Sequence, residues 1–329
     1  YDYKNNTEQH VFDGSVRVDQ VWEPFPVTAH GAEYKDQTAG VDADWSPARK
    51  VSVSGMAEQT LLDRPDREYK KMKEMVLQGA VQLRPADGWQ LKGKIRHGDR
   101  KERSGGEFDS SGYLDGSTIV EQLGMRKFDI APRVRDRFEG SVGYAPNERW
   151  SFSVGGSSLK DDYKDSNLGL KEEKEKTATA GVEFQPADRL QLLGSIGWQK
   201  SETFQQGRES GATVDQSDTT RWTAELTDET IFWSAGFAWS APGGKWGISG
   251  LFDTNRAPST YDLSNFKKTA VSLPSTEYTR QSATVEVRYE LLSSTTVLGE
   301  WAWEEYEVTD ISTERVPLIF PLTGSSNAI

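Results

Sequence analysis

Residues 138–157 read FEGSVGYAPNERWSFSVGGS, and this stretch decides the fold. Phe138, Gly140, Val142 and Tyr144 interleave with Glu139, Ser141 and Gly143. After the APNER turn, Trp150, Phe152, Val154 and Gly156 interleave with Ser151, Ser153, Gly155 and Ser157. A period of two gives each segment one apolar and one polar face, which predicts two strands. Pro146 fixes its own φ and offers no N–H, and Asn147 bonds local backbone, so the five residues between predict a tight turn.

The same device recurs along the chain. It appears as Trp45-SPARK-Val51, Leu83-RPADG-Trp89, Phe184-QPADR-Leu190 and Trp239-SAPGGK-Trp246, with a Pro-free form at Tyr289-ELLSST-Thr296. Short turns are therefore expected near 46–50, 84–88, 145–149, 185–189, 240–245 and 291–295. Alternation on their flanks predicts about thirteen strands, near 10–22, 36–46, 49–58, 74–84, 88–97, 135–145, 149–159, 177–185, 189–199, 230–240, 245–254, 281–291 and 295–307. Residues 63–74, DRPDREYKKMKE, read as a charged hairpin loop in preference to a helical turn. The remaining connections, near 98–134, 160–176, 200–229 and 255–280, are long and polar. Short turns at one end and long loops at the other are how outer-membrane barrels are built, the short turns being periplasmic.

Composition narrows the class. The 329 residues contain no Cys, which excludes disulfides, thiolate metal sites, a catalytic Cys and covalent haem c on this chain. His10, His30 and His97 are scattered, which gives little support to a His-built metal site. A net charge of −12 argues against nucleic acid as main partner. Hydrophobic residues make up 35%, low for a soluble core, yet 11 Trp, 11 Tyr and 13 Phe argue against disorder. No run is long enough for a transmembrane helix, whereas a barrel needs apolar residues only at alternate positions. No leader is evident, Tyr1 is not an initiator Met, and the ending PLTGSSNAI reads as polar loop. The biological object is accordingly expected to exceed this sequence.

Two features point the apolar face at lipid. Trp45, Trp89, Tyr144, Trp150, Phe184, Trp239, Trp246 and Tyr289 all adjoin the short turns, where amphipathic rings would form an interfacial girdle. The opposite face is too polar for a protein core: Lys92, Lys94, Arg96, Arg137, Glu139, Glu286, Arg288, Glu290, Glu300 and Glu304 are expected to face the lumen or a partner within it. The fold expected is all-β, a single transmembrane antiparallel up-and-down barrel domain over 1–329. A soluble all-β sandwich, serving as a binding or enzyme module, is the alternative if a second sheet covers the apolar face.

Residues 126–198 carry a specific resemblance. Arg126-Lys127-Phe128-Asp129 and Arg135-Asp136-Arg137 precede a strand and a turn at Pro146-Asn147. Asp161-Asp162-Tyr163, Asp165-Ser166 and Gly169-Leu170 follow, then a second turn at Pro186-Ala187-Asp188-Arg189. This pattern resembles the MtrB/PioB family of decahaem-associated outer-membrane barrels, in its C-terminal half. The resemblance implies a bacterial outer-membrane sheath, this chain being part of a barrel of more than about twenty strands. It would hold a periplasmic multihaem c-type cytochrome in its lumen and insulate it for extracellular electron transfer. An extracellular multihaem cytochrome would be a possible second partner, and haem c would sit on the partner, with no cofactor on this chain. An open diffusion porin or channel is the alternative within the same architecture.

No catalytic motif is present: G-x-S-x-G, Walker A and H-E-x-x-H are all absent, and no enzyme activity is expected. Asp161, Asp162, Asp165 and Asn167 are spaced rather like a calcium loop but lack the EF-hand pattern, so a solvated acidic loop is the plainer reading. Lys171–Lys176, KEEKEK, reads as the wet start of a strand or as loop. Arg133, Arg135 and Arg137 are placed to reach lumen carboxylates or, more blandly, to lie on the surface.

Overall fold

A computed structural model describes residues 2–5, 10–18, 21–29, 33–63, 71–104, 125–126, 128, 131–164, 167–208, 220–265, 270–292 and 294–309. The strands, in chain order, are β1 (Asp2–Asn5), β2 (His10–Val18), β3 (Val21–Ala29), β4 (Glu33–Ala48), β5 (Val51–Asp63) and β6 (Lys71–Leu83). Then come β7 (Trp89–Ser104), β8 (Met125–Arg126), β9 (Arg133–Asn147), β10 (Trp150–Tyr163), β11 (Leu168–Ala187) and β12 (Leu190–Arg208). The last are β13 (Arg221–Ser240), β14 (Trp246–Asn265), β15 (Ala270–Ser272), β16 (Thr276–Leu292) and β17 (Thr295–Thr309). β4, β5, β6, β7, β9, β10, β11, β12, β13, β14, β16 and β17 pair as neighbours in an antiparallel up-and-down sheet. β1 extends the β4 edge, β8 and β15 attach to β11 and β14, and β2 pairs with β3 in a separate hairpin.

The turns form as their residues dictate. The Asn147 side chain accepts hydrogen bonds from the backbone N–H of Arg149 (2.9 Å) and Trp150 (3.1 Å), closing an Asx-type turn. Gly88 has φ of 78°, and a Cβ there would meet the Ala145 carbonyl oxygen at 2.1 Å, so only glycine fits.

Register then sorts the side chains into two faces. One rung runs Trp150–Phe184–Leu192–Phe237–Gly250–Val285–Trp301 across seven strands. The opposite face carries Asp44–Ser54–Ala80–Lys94–Glu139–Ser157–Thr177–Gln199. None of the described residues covers the apolar rungs: Ile196, Trp233, Phe237, Trp239, Trp246 and Trp301 are all exposed. Buried apolar side chains among the described residues are few (Met72, Val76, Ala131, Tyr163 and Leu168), and all lie near the long-loop end. A sandwich would press its apolar face against a second sheet; this sheet leaves it open, as a wall facing lipid does. The soluble-module alternative falls on that observation.

The outer face of β12 shows the height of the wall. Leu190, Leu192, Gly194, Ile196 and Trp198 carry no charge, and Lys200 is the first cation beyond them. Nine residues match the length of a tilted membrane-crossing strand, about 9–11 residues. Trp198 marks the far boundary, its indole N–H donating to Glu229 Oε1 at 2.6 Å. On the inner face, Gly197 leaves room for the Phe232 ring, which would lie 2.1 Å from any added Cβ.

Several strands run further than their sequence pattern suggests. The expected loop at 160–176 is mostly strand: β10 reaches Tyr163 and β11 begins at Leu168. β12 reaches Arg208 and β13 begins at Arg221 inside the loop expected at 200–229, and β14 extends to Asn265 inside the one expected at 255–280. β7 continues to Ser104 inside the expected 98–134 loop. The reason is physical: past the membrane both faces of a strand meet water, so hydropathy alternation fades while pairing persists. KEEKEK is such a segment, lying within β11. The strand expected at 10–22 is instead split between β2 and β3. Lys71 pairs with Asp63, so 71–74 belong to β6, neither loop nor helix. Residues 64–70 and the chain ending 310–329 lie outside the described residues.

Two outcomes are expected. Ile196→Arg, at mid-height on the outer face, should destabilise the membrane-embedded protein by about 2–4 kcal/mol. Ser195→Arg, on the inner face, should cost under about 1 kcal/mol; urea unfolding in lipid vesicles measures both. The second concerns the β10–β11 tip, outside the membrane. There Lys174 and Lys160 hydrogen-bond Glu172 and hold its carboxyl below the usual range. A depressed carboxyl stabilises fully above its unfolded pKa and loses that contribution as pH falls through the folded value. Amide protection in the hairpin around 160–172 should therefore drop on acidification below about pH 4, and Glu172→Gln should remove the dependence.

Candidate functional site: the polar inner wall

Followed through the register, Lys92, Lys94, Arg96, Arg137, Glu139, Glu286, Arg288, Glu290, Glu300 and Glu304 fall on one face. Trp45, Trp89, Tyr144, Trp150, Phe184, Trp239, Trp246 and Tyr289 fall on the other. The aromatics pair at the turn end: Trp89 stacks on Tyr144 (centroids 4.3 Å), Trp150 on Phe184 (3.9 Å), and Trp246 tilts against Tyr289 (4.3 Å). Each pair joins two strands connected at the opposite, long-loop end, so residues flanking successive short turns meet across the ladder.

Charges on the inner face form two kinds of arrangement. Near mid-height, Glu139 takes Lys94 Nζ at 2.8 Å and Arg137 Nε at 2.5 Å. Lys92 stands exposed on the same strand as Lys94. On β16 and β17, Arg280 pairs with Glu304 and reaches Asp253 at 3.8 Å.

Towards the long-loop end lies a tighter cluster. Asp161 is fully buried and accepts from Arg135 Nε (2.7 Å) and Nη2 (2.5 Å), while Arg133 Nη1 reaches it at 3.4 Å. Arg133 Nη2 donates to Glu74 at 2.9 Å. A bidentate guanidinium–carboxylate pair with a second cation beside it is the geometry that makes a buried carboxylate tolerable. Burial pushes the Tyr163 phenol up, as does neighbouring Asp161. Burial first, then Asp161, also raises the Glu173 carboxyl. Arg100, buried on the same face, donates from Nε to the Ala131 carbonyl (2.9 Å) and from Nη2 to that of Phe128 (2.7 Å). The Lys164 N–H donates to the Pro132 carbonyl at 2.9 Å. The segment ahead of β9 is thereby tied down across the inner face.

This arrangement takes apart the calcium-like spacing. Asp161 faces inward and is occupied by arginines, whereas Asp162 lies on the outer face with Lys164. Asn167 is exposed, and Asp165 lies outside the described residues. Arg133, Arg135 and Arg137 all reach carboxylates. Glu74 and Arg100 were not singled out by the sequence reading. Their partners sit between 28 and 59 residues away, and the charged run around them hides the alternation that would have shown their face. On the outer face, His97 Nδ1 lies 2.7 Å from Asp136 Oδ1.

Comparison with known proteins agrees with this architecture. Residues 1–326 match the family described as outer membrane beta-barrel porin, MtrB/PioB. The outer membrane protein MtrB of Shewanella baltica (strain OS185) is 24% identical over 200 residues, covering 61% of this chain and 27% of that protein. The aligned region thus spans about a quarter of that relative's length. Among solved structures, the ferric yersiniabactin uptake receptor FyuA of Yersinia pestis matches with a TM-score of 0.50 at 10% identity, over 84% of this chain and 52% of the receptor. The ferric citrate transporter FecA matches with a TM-score of 0.50 at 11% identity, over 82% of this chain and 42% of FecA. At such identities these two likenesses speak to the fold alone. An uncovered apolar face, an aromatic girdle, a polar inner wall and a family match over nearly its whole length place the chain in the bacterial outer membrane, as a member of the MtrB/PioB family of β-barrel porins.

Proposed function

We propose that this wall is part of a sheath that holds and insulates a multihaem c-type cytochrome, so that electrons cross the outer membrane along the haems. The observation that carries the reading is the inner face itself. Charged side chains stand in register at many heights on it, from Lys92 to Arg100 on β7 and from Glu286 to Glu304 on β16 and β17. Such a surface can hydrogen-bond a folded protein and fix its orientation, since electrostatic complementarity sets register more than affinity. The family relationship supports the same reading, and the absence of Cys fits haem attachment on a different chain. An extracellular multihaem cytochrome would be a second partner at the long-loop end. In this role the chain does no chemistry; it excludes lipid and positions the carrier.

The protein extracted from outer membranes in mild detergent should carry the visible absorption of c-type haem through size exclusion. A colourless preparation that conducts ions in a planar bilayer would overturn the sheath reading and favour an open porin.

A further inference from the structure

Several rungs of the inner wall set like charges directly opposite each other, among them those of Arg96 and Glu286. On β7 and β9, Arg96 lies directly opposite Arg137. On β16 and β17, Glu286 lies directly opposite Glu300. Like charges in directly opposed positions repel unless a counter-charge arrives from elsewhere.

The same wall shows what a resolved case looks like. Arg100 and Arg133 are also directly opposed, and both are satisfied within the chain: Arg100 by the carbonyls of Ala131 and Phe128, Arg133 by Glu74 and Asp161. The lower basic rung is provided for on one side alone, where Arg137 meets Glu139. Glu139 is shared between Lys94 and Arg137. Among the described residues no carboxylate pairs with Arg96 or Lys92, whose register partners other than Arg137 are the neutral Gln78, Gln82 and Ser141. Four cations thus crowd round Glu139 at the height of a recess of about 590 Å³ floored by Ser54, Ala80, Ser141 and Gly155, whose other carboxylate, Asp44, stands three strands away from Lys94 on β4. The acidic rung is similar. Ser249 is the other partner of Glu286, no ion pair joins Glu286 or Glu300 among the described residues, and Arg280 is committed to Glu304 and Asp253. Arg288 is the nearby cation on the same face.

We infer that the two unbalanced rungs are docking strips of opposite sign for one guest protein in the bore. A carboxylate-rich strip of the guest would lie against Lys92, Arg96 and Arg137, and a Lys/Arg-rich strip against Glu286 and Glu300. Six strand spacings separate β9 from β16 in the sheet, about 29 Å along the wall at roughly 4.8 Å per strand. Strips so far apart and opposite in sign fix the guest's rotation about the barrel axis, because turning it brings like charges together. This inference rests on the sheath reading and adds the chemistry of the contact.

Zero-length carbodiimide coupling in the native outer membrane tests it, because that reagent joins only amines and carboxylates already in ion-pair contact. Lys94–Glu139, at 2.8 Å, is the internal control and should couple within the chain. Lys92 is expected to couple to Asp or Glu of the co-extracted haem protein, and Glu286 or Glu300 to its lysines. Lys92→Arg should abolish the first link while the haem protein stays bound. Retention of the haem protein with the control link formed but guest links missing at either strip overturns the inference and leaves the sheath reading standing. Absence of any haem protein overturns both.

Discussion

A peptide backbone inside hydrocarbon has only other peptide groups to bond. Each unsatisfied N–H or C=O there costs several kcal/mol, so every strand that crosses needs a neighbour on both sides along its full length. That demand explains the up-and-down order of β4 to β17 and the short turns that return each strand beside the last. Side chains decide which face meets which solvent, but pairing decides that there is a sheet.

Given the sheet, the two solvents are told apart by side chains alone. Outer positions between the girdle and Trp198 hold aliphatic, aromatic and small residues, while inner positions bring in Ser, Thr, Gln and the carboxylate of Glu183 beside glycines, Leu193 and Phe232. A midplane Lys or Arg on the lipid side costs about 2–4 kcal/mol, whereas the bore accepts it. The buried cluster around Asp161 follows a different logic. There the inner face is covered by the segment ahead of β9, Asp161 is fully buried, and the arginines around it bond carboxylates and carbonyls of the chain. Lower on the same face the charges remain open, as a surface meant for something other than its own chain would.

Much of this was legible in the sequence. Alternation around Tyr144-APNER-Trp150 showed the turn, the two strands and the sorting of their side chains to two faces. The heights at which strands end were not legible, because charges on both faces of β10 and β11 erase the pattern just where the strands leave the membrane. Nor was the Glu74–Arg133–Asp161 cluster, whose members come from β6, β9 and β10 and meet only once register is fixed. Alternation tells which side a residue is on; it does not tell which residues of distant strands share a rung.

The strict alternation of β7 also guards the wall against misthreading. Moving β7 by one residue against β9 would turn Trp89, Leu91 and Ile95 into the bore and force Lys92, Lys94 and Arg96 into the acyl chains. With three such cations the penalty rivals the whole stability of an ordinary domain, about 5–15 kcal/mol. A wrongly inserted β7 would therefore be expelled by the bilayer before its neighbours could lock it in, and the membrane itself proofreads assembly.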